Sequence, residues 1–219
     1  MAMPRIYVLL RVSKTKPSLQ CRVQEDIFDS RIFDTLRSQF SNEQEFQDKI
    51  VRKVAPVRGD IVMEQLGMSN SDLAIVQSDT KVVIHCVASV NFSDPLPIAL
   101  DINTRGTLRV IQVAQSMPRI RALIHVSTCY VNAPLRDQRV LECIYPLPFG
   151  DPEHVFANLS KMSEDELLSY ERDIVLKTYP NTYTFTKALT EHLMQERFQS
   201  LDLPLSEVGW KGIALSAYF

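Results

Sequence analysis

The sequence predicts a doubly wound α/β fold, a parallel sheet with helices on both faces. Three observations predict it. Short, continuously apolar runs recur along the chain, which is how strands buried on both faces read. Stretches of helical periodicity fill the intervals, and this alternation is the pattern of parallel strands joined by crossover helices. An apolar content of 45% over 219 residues supplies enough interior for one good-sized core.

The elements follow in order. Residues 5–10, Arg-Ile-Tyr-Val-Leu-Leu, form the first apolar run, and a basic, proline-containing stretch follows over 11–17. From 29 to 49, Ile32, Phe33, Leu36, Phe40 and Phe46 recur at helical intervals. Residues 51–57 read as a strand, stopped by Arg58-Gly59-Asp60. A short helix over 69–77 has Ser69 as its cap. Val82-Val83-Ile84-His85-Cys86-Val87 reads as the clearest buried strand. Ser93-Asp94-Pro95 then gives an N-cap with proline in the first turn. The helix it opens runs to about Ser116, with Ile98, Ile102, Val110, Ile111, Val113 and Ala114 mostly on one side, and Met117-Pro118 ends it. Residues 120–126 are the next strand, closing on Ser127-Thr128.

Proline-bearing residues 133–158 show little periodicity and read as a long irregular loop of the kind that covers a substrate. Ser163 and Glu166 form a capping-box pattern heading an acidic helix over 163–176. An amphipathic helix spans 180–201, and the tail 203–219 is weakly patterned.

Composition excludes some classes. A formal net charge of −2 with dispersed Lys and Arg is not the footprint of a nucleic-acid binder. Cys21, Cys86, Cys129 and Cys143 are spaced too irregularly for a CxxC pair or a zinc framework. Cys86 and Cys129 fall in apolar runs and are expected as buried free thiols, which suits a reducing compartment. His85 and His125 also sit in apolar runs, and core or cofactor-edge roles are expected for them rather than metal ligation. No apolar stretch reaches the ~18–20 residues that span a bilayer. Met1-Ala2-Met3-Pro4 leads directly into a strand pattern, leaving no room for a signal peptide.

The chemistry centres on two segments. His125-Val126-Ser127-Thr128-Cys129-Tyr130 reads as a strand ending in hydroxyls, and Tyr183-Thr184-Phe185-Thr186-Lys187 puts a phenol and an ammonium on one helical face. A free phenol, with a pKa near ~10, is a poor acid at neutral pH, and a nearby ammonium stabilises its phenolate. Lys187 is spaced to do this for Tyr183 and to bond the ribose hydroxyls of a cofactor. Thr128, or Ser127 beside it, would polarise a substrate carbonyl in the manner of an oxyanion donor. These are the proton-handling parts of a carbonyl reductase that takes hydride from a nicotinamide.

The surrounding words sharpen the pattern. His85-Cys86-Val87-Ala88-Ser89-Val90-Asn91-Phe92, Asn103-Thr104-Arg105-Gly106-Thr107, the His125–Asn132 segment and Pro180-Asn181-Thr182-Tyr183-x-x-Thr186-Lys187-x-x-x-Glu191 resemble, in order and spacing, the fatty acyl-CoA reductases of the extended short-chain dehydrogenase/reductase superfamily. The resemblance covers roughly residues 5 to 200. It implies a Rossmann-like domain over 1–204 with a divergent tail over 205–219. It implies NADPH as cofactor and a long-chain acyl-CoA as substrate, reduced through a bound aldehyde to a primary alcohol. Thr128, Ser127, Tyr183 and Lys187 take the catalytic positions, and Arg11, assisted by Lys14, the 2′-phosphate position. Asp60 would approach the adenine and Ala88 would line the cofactor, which Tyr183 and Lys187 also touch. Peripheral attachment to peroxisomal or endoplasmic-reticulum membranes and homo-oligomerisation are compatible with the family.

The chain departs from the pattern in places. The family begins with a strand and Gly-x-x-Gly-x-x-Gly, glycines that let backbone approach the pyrophosphate. Gly59, Gly67, Gly106, Gly150, Gly209 and Gly212 do not supply it. Val87 stands where a second alanine is usual. The chain therefore reads as a truncated form that binds NADPH weakly alone, an expectation a fluorescence titration checks. Two other readings stand beside the first. One is a different extended reductase; the other is a non-catalytic remnant that pairs its strand edges with a partner.

Overall fold

The computed structural model describes residues 5–12, 18–135, 138–141 and 143–199. The expectations for Lys14 and for the tail beyond residue 200 lie outside the described residues. The chain divides into two compact units, residues 1–76 and 77–219.

In the first unit β1 (Ile6–Leu10) and β2 (Val54–Arg58) pair in parallel, Ile6 opposite Val54 and Leu10 opposite Arg58. The Gly59 N–H extends the ladder by donating to Leu10 O at 3.1 Å. A Cβ at Gly59 would collide with the Leu9 side chain and the Leu66 carbonyl, so close approach demands glycine here. Between the strands the single helix expected over 29–49 breaks into a 3₁₀ turn (Arg31–Phe33), one helical turn (Asp34–Arg37) and a helix (Glu43–Lys49). Local polar side chains cause the break. Ser38 Oγ donates to Thr35 O at 2.9 Å, and Asn42 Oδ1 accepts from the Glu45 N–H at 2.9 Å, starting a new helix. Ile32, expected on the apolar face, is 80% exposed. Phe28, Phe33, Phe40 and Phe46 pack edge-to-face with centroids 5.0–5.9 Å apart. Phe28 ends a helical stretch over 19–28, capped by Ser18, that the periodicity did not reveal.

In the second unit β3 (Val82–His85) and β4 (Ala122–His125) pair in parallel, with His85 opposite His125. A long helix over 96–115 joins them as a βαβ unit, with a π-helical segment (Leu100–Arg105) between its α-helical ends. The expectation of a fully buried β3 fails: Val82 is 49% and Ile84 65% exposed, because side chains alternate across the strand and only the His85 side is covered. Cys86 and Cys129 are likewise exposed rather than buried. Cys86 directly follows β3, and Cys129 opens the 3₁₀ turn Cys129–Asn132 after Ser127-Thr128, so neither lies in the sheet.

The helix start at 93–95 also differs. Pro95 is the capping residue, and the Leu96 N–H donates instead to Glu171 Oε2 at 2.7 Å. Asp94 ties its own loop, accepting from Asn91 Nδ2 at 2.6 Å and from the Ser89 hydroxyl. The loop expected over 133–158 contains a helix (Pro152–Lys161) started by Asp151, which accepts from the His154 N–H at 2.8 Å, with proline in the first position. Val155 and Leu159 on it join Leu96, Leu100, Val175, Phe185, Leu189 and Leu193 in the core.

The capping box forms as read. Ser163 Oγ accepts from the Glu166 N–H while Glu166 Oε2 accepts from the Ser163 N–H at 2.7 Å. Ser163→Ala removes one half of it, and the expected loss is about 1 kcal/mol in urea-unfolding free energy. A loss within error of zero would show the helix to be held by packing alone.

Candidate active site

The helix Thr182–Gln199 is started by Asn181, whose Oδ1 accepts from the Thr184 N–H at 2.9 Å. That start puts Tyr183, Lys187 and Glu191 on one face and Thr182, Thr186 and Thr190 on another. The threonine face is bolted to the helix over 96–115. Asn103 Nδ2 donates to Thr186 Oγ1 at 3.1 Å, Thr104 Oγ1 to Thr186 O at 3.2 Å, and Thr190 Oγ1 to Thr104 Oγ1 at 3.1 Å. Thr182 Oγ1 donates to Asp94 O at 2.6 Å. Asn103 also grips the turn after β3, accepting from the Ser89 N–H at 2.8 Å. Sequence reasoning assigned Asn103 and these threonines no role; their i, i+4 spacing was the available signal.

The other face meets the end of β4. Lys187, only 2% exposed, donates to Val126 O at 2.8 Å and lies 3.1 Å from His125 Nε2. The strand end and the helix face that the sequence singled out are thereby brought together, one residue before Ser127. Burial lowers the Lys187 ammonium to about 8, with Glu191 and Cys86 opposing. Burial raises the Glu191 carboxyl, against the pull of the Ser127 hydroxyl and the Lys187 ammonium. Ser127 Oγ is itself buried and out of hydrogen-bond geometry with any described atom, although near enough to Glu191 to favour its charged form.

Thr128 is half-buried and caps the short turn Cys129–Asn132, its Oγ1 accepting from the Tyr130 N–H at 3.3 Å. That contact uses a lone pair and leaves the hydroxyl hydrogen available. Tyr183 is 9% exposed, its ring 5.4 Å from that of Phe92. Ala88, half-buried, adjoins the Ser89 clamped by Asn103.

His85 and His125 are both buried. Thr107 Oγ1 gives its hydrogen to Asn103 O at 2.6 Å, so at 2.8 Å it accepts from the His85 Nε2–H. Burial, then the Lys187 charge, lowers His85 to about 4; burial, Lys187 and His85 lower His125 to about 2.

In the first unit Arg11 follows β1 and Asp60 follows β2, so both stand at the carboxyl ends of parallel strands, where ligands of such sheets bind. Arg11 Nη1 is 3.9 Å from Asp60 Oδ2, and the Arg11 side chain is 76% exposed. Asp60 has a structural task as well: its Oδ1 accepts from the Val62 N–H at 3.2 Å and its own N–H donates to Leu66 O at 2.7 Å.

The fold thus brings the Lys187-bearing face of this helix to a strand end that carries hydroxyls. The chain belongs to the NAD-binding family described as male sterility protein, which matches residues 1–208. It is 38% identical over 187 residues (85% of this chain, 34% of the relative) to the Drosophila melanogaster protein CG8306, provisionally named a fatty acyl-CoA reductase. It is 32% identical to mouse fatty acyl-CoA reductase 1 and 30% identical to human fatty acyl-CoA reductase 2, each over 91% of this chain and 36% of the relative. The chain thus spans about a third of the length of the curated relatives it matches. Among solved structures it shares the Rossmann-like fold of the terminal R domain of the myxalamid PKS-NRPS pathway, at TM-score 0.59 and 24% identity over 92% of this chain and 40% of that one. The reductase domain of a Mycobacterium tuberculosis nonribosomal peptide synthetase gives TM-score 0.54 at 18% identity, over 92% of this chain and 39% of that one.

Proposed function

We propose that the chain is the cofactor-binding and catalytic part of an NADPH-dependent, alcohol-forming fatty acyl-CoA reductase. The observation that carries this reading is the 2.8 Å contact of Lys187 Nζ with Val126 O, which sets the Tyr-x-x-x-Lys face against the Ser127-Thr128 strand end. The names of the relatives support the substrate class, a long-chain acyl-CoA thioester.

Several residues suit parts of the cofactor, while the glycines that would let backbone approach its pyrophosphate are not in this sequence. Arg11 offers an open guanidinium, the group that grips a phosphate bidentately, and Asp60 beside it would meet the adenosine end. Ala88, Tyr183 and Lys187 are the second unit's candidates for contact with the cofactor. NADPH, when bound, supplies hydride. Thr128 Oγ1–H donates to the thioester carbonyl oxygen as charge gathers there, with Ser127 adjacent. Tyr183 Oη gives its proton to the alkoxide formed from the aldehyde, and the Lys187 ammonium stabilises the phenolate left behind. The whole change consumes two NADPH and two protons per thioester and yields a primary alcohol, free CoA and two NADP⁺.

The test is incubation with palmitoyl-CoA and NADPH, reading products by gas chromatography. Hexadecanol with two NADPH consumed per alcohol is expected, at a low rate and only at high NADPH concentration, because the glycines that would seat the pyrophosphate are missing from this sequence. Reduction of ketones but not of the thioester would assign a different extended reductase. No turnover in a chain that folds would favour the strand-pairing remnant. Association with peroxisomal or endoplasmic-reticulum membranes belongs to the same proposal, tested by flotation with vesicles; among the described residues no helix is long and apolar enough to cross a membrane.

Arg11→Ala isolates the phosphate contact. A charge-assisted contact of ~1.5–3 kcal/mol predicts a ~10–100-fold rise in KM for NADPH and little change for NADH. Equal losses for both cofactors would remove Arg11 from the 2′-phosphate site.

A further inference from the structure

Lys187 has three N–H bonds to place in a site that water barely reaches. One goes to Val126 O at 2.8 Å, and His125 Nε2 stands 3.1 Å away. An ammonium has no lone pair, so against a protonated Lys187 the imidazole Nε2 can only accept. The ring proton must then sit on Nδ1. His125 Nδ1 is buried and has no hydrogen-bond partner among the described residues. A buried donor left unpaired is costly, and such groups in a folded protein call for a physical reason.

The surroundings hold the ring in that state. His125 is paired in register with His85 across the parallel strands, their centroids 5.1 Å apart and their planes tilted by 39°. His85 offers no relief: its Nε2–H goes to Thr107 Oγ1, whose own hydrogen goes to Asn103 O, and no described atom, His85 Nδ1 included, stands in hydrogen-bond geometry with His125 Nδ1. Flipping His125 to satisfy Nδ1 would take its acceptor away from Lys187. The groups acting on the ammonium are His125 and Val126 from the end of β4, His85 and Cys86 from the end of β3, and Glu191 from its own helix. Glu191 supports the ammonium through its charge, although burial raises its own carboxyl. His125 Nε2 adds a neutral acceptor in a fixed place.

We propose that His125, as the neutral Nδ1–H tautomer, is a positioning residue that orients the Lys187 ammonium at the end of β4. The tautomer stands on the hydrogen-bond geometry alone; its catalytic consequence rests on the reading of Lys187 given above. His125 touches neither substrate nor cofactor in this scheme. It acts by denying Lys187 other rotamers and by accepting a second N–H, so that the third remains free.

Long-range ¹H–¹⁵N correlation spectra of the 219-residue chain labelled with ¹⁵N-histidine read the tautomer directly at pH 6.5–7.5, with His125→Gln assigning the resonance. Protonated Nδ1 and unprotonated Nε2 are expected. Protonated Nε2, or an even mixture, would overturn the proposal. The second measurement follows the Lys187 ¹³Cε shift with pH. His125→Phe keeps the stacking on His85 but removes the acceptor, and proton affinity at Lys187 is expected to fall about tenfold. His125→Gln, which returns an acceptor oxygen, is expected to stay within about twofold of the parent. Unchanged Lys187 titration in His125→Phe would also overturn it. If that variant does not fold, the tautomer of the parent and the Gln variant decide. In turnover assays the Phe variant is expected to lose kcat with KM unchanged, and Gln to rescue it. An Nδ1–H tautomer in a chain without reductase activity would sink the proposed function and leave this inference intact.

Discussion

Replacing Tyr183 with phenylalanine is expected to cut turnover of palmitoyl-CoA by about 10²–10⁴-fold and to leave the fold in place. The magnitude is that of a positioned general acid, and in barrier height it amounts to ~3–5 kcal/mol. The substitution deletes one oxygen. The ring, which packs near Phe92 and leaves the residue only 9% exposed, remains. Lys187 keeps both of its contacts, because these go to β4 and not to the phenol. Loss of kcat with a melting temperature within ~2 °C of the parent is therefore the expected pair of results. Lys187→Met makes the contrast: it strips a donor from Val126 O and should cost both activity and stability. Turnover by Tyr183→Phe within threefold of the parent would remove Tyr183 as the acid. The donor would then have to be sought among the hydroxyls of Ser127 and Thr128.

The part of the site that was legible in the sequence is the part that local geometry writes. Tyr183 and Lys187 share a face because a helix turns every ~3.6 residues, and Ser163 and Glu166 cap because their spacing suits one helical turn. Arg11 and Asp60 come to the same end of a parallel pair because each follows its strand. What was not legible depends on partners far off in the chain. Asp94 looks like a cap, yet the Leu96 N–H is claimed by Glu171, 75 residues on. Lys187 finds His125 across 62 residues, and no spacing rule announces that contact. The exposure of Val82 and Ile84 likewise depends on what covers a strand, which its own residues do not state. The helix at 152–161 was hidden for a different reason. In a proline-bearing stretch Pro152 reads as irregularity, whereas Asp-Pro is also how a helix begins.

The paired histidines carry the other large prediction, which concerns acid. His85 is lowered from 6.5 to about 4, and His125 to about 2, chiefly because burial disfavours the imidazolium. In the unfolded chain both return to the ordinary value, so below pH 6.5 the unfolded state binds protons that the native state refuses. Stability from these groups is complete above 6.5 and is lost as the pH falls, through about 4 for His85 and further for His125. While both differ, the slope is two protons, ~2.7 kcal/mol per pH unit, and His85 alone accounts for ~3 kcal/mol by pH 4. Against a whole-domain stability of ~5–15 kcal/mol that loss is large enough to unfold the second unit before either ring protonates in place. Lys187 works at the opposite end. Its ammonium is lowered from 10.5 to about 8, so its contribution improves only as the pH rises between those values and does nothing to soften the acid side. Urea-unfolding free energies are expected to hold steady between pH 7 and 7.5 and to fall by ~2–3 kcal/mol for each unit below 6. Replacing both histidines with asparagine should flatten that limb even if it lowers the plateau, since the two depressed imidazoles are what drive it. A profile that stays level from pH 7 to 5 would mean that the two imidazoles accept protons in the folded protein. The hydrogen-bond chain from Lys187 through His125 would then need the opposite polarity.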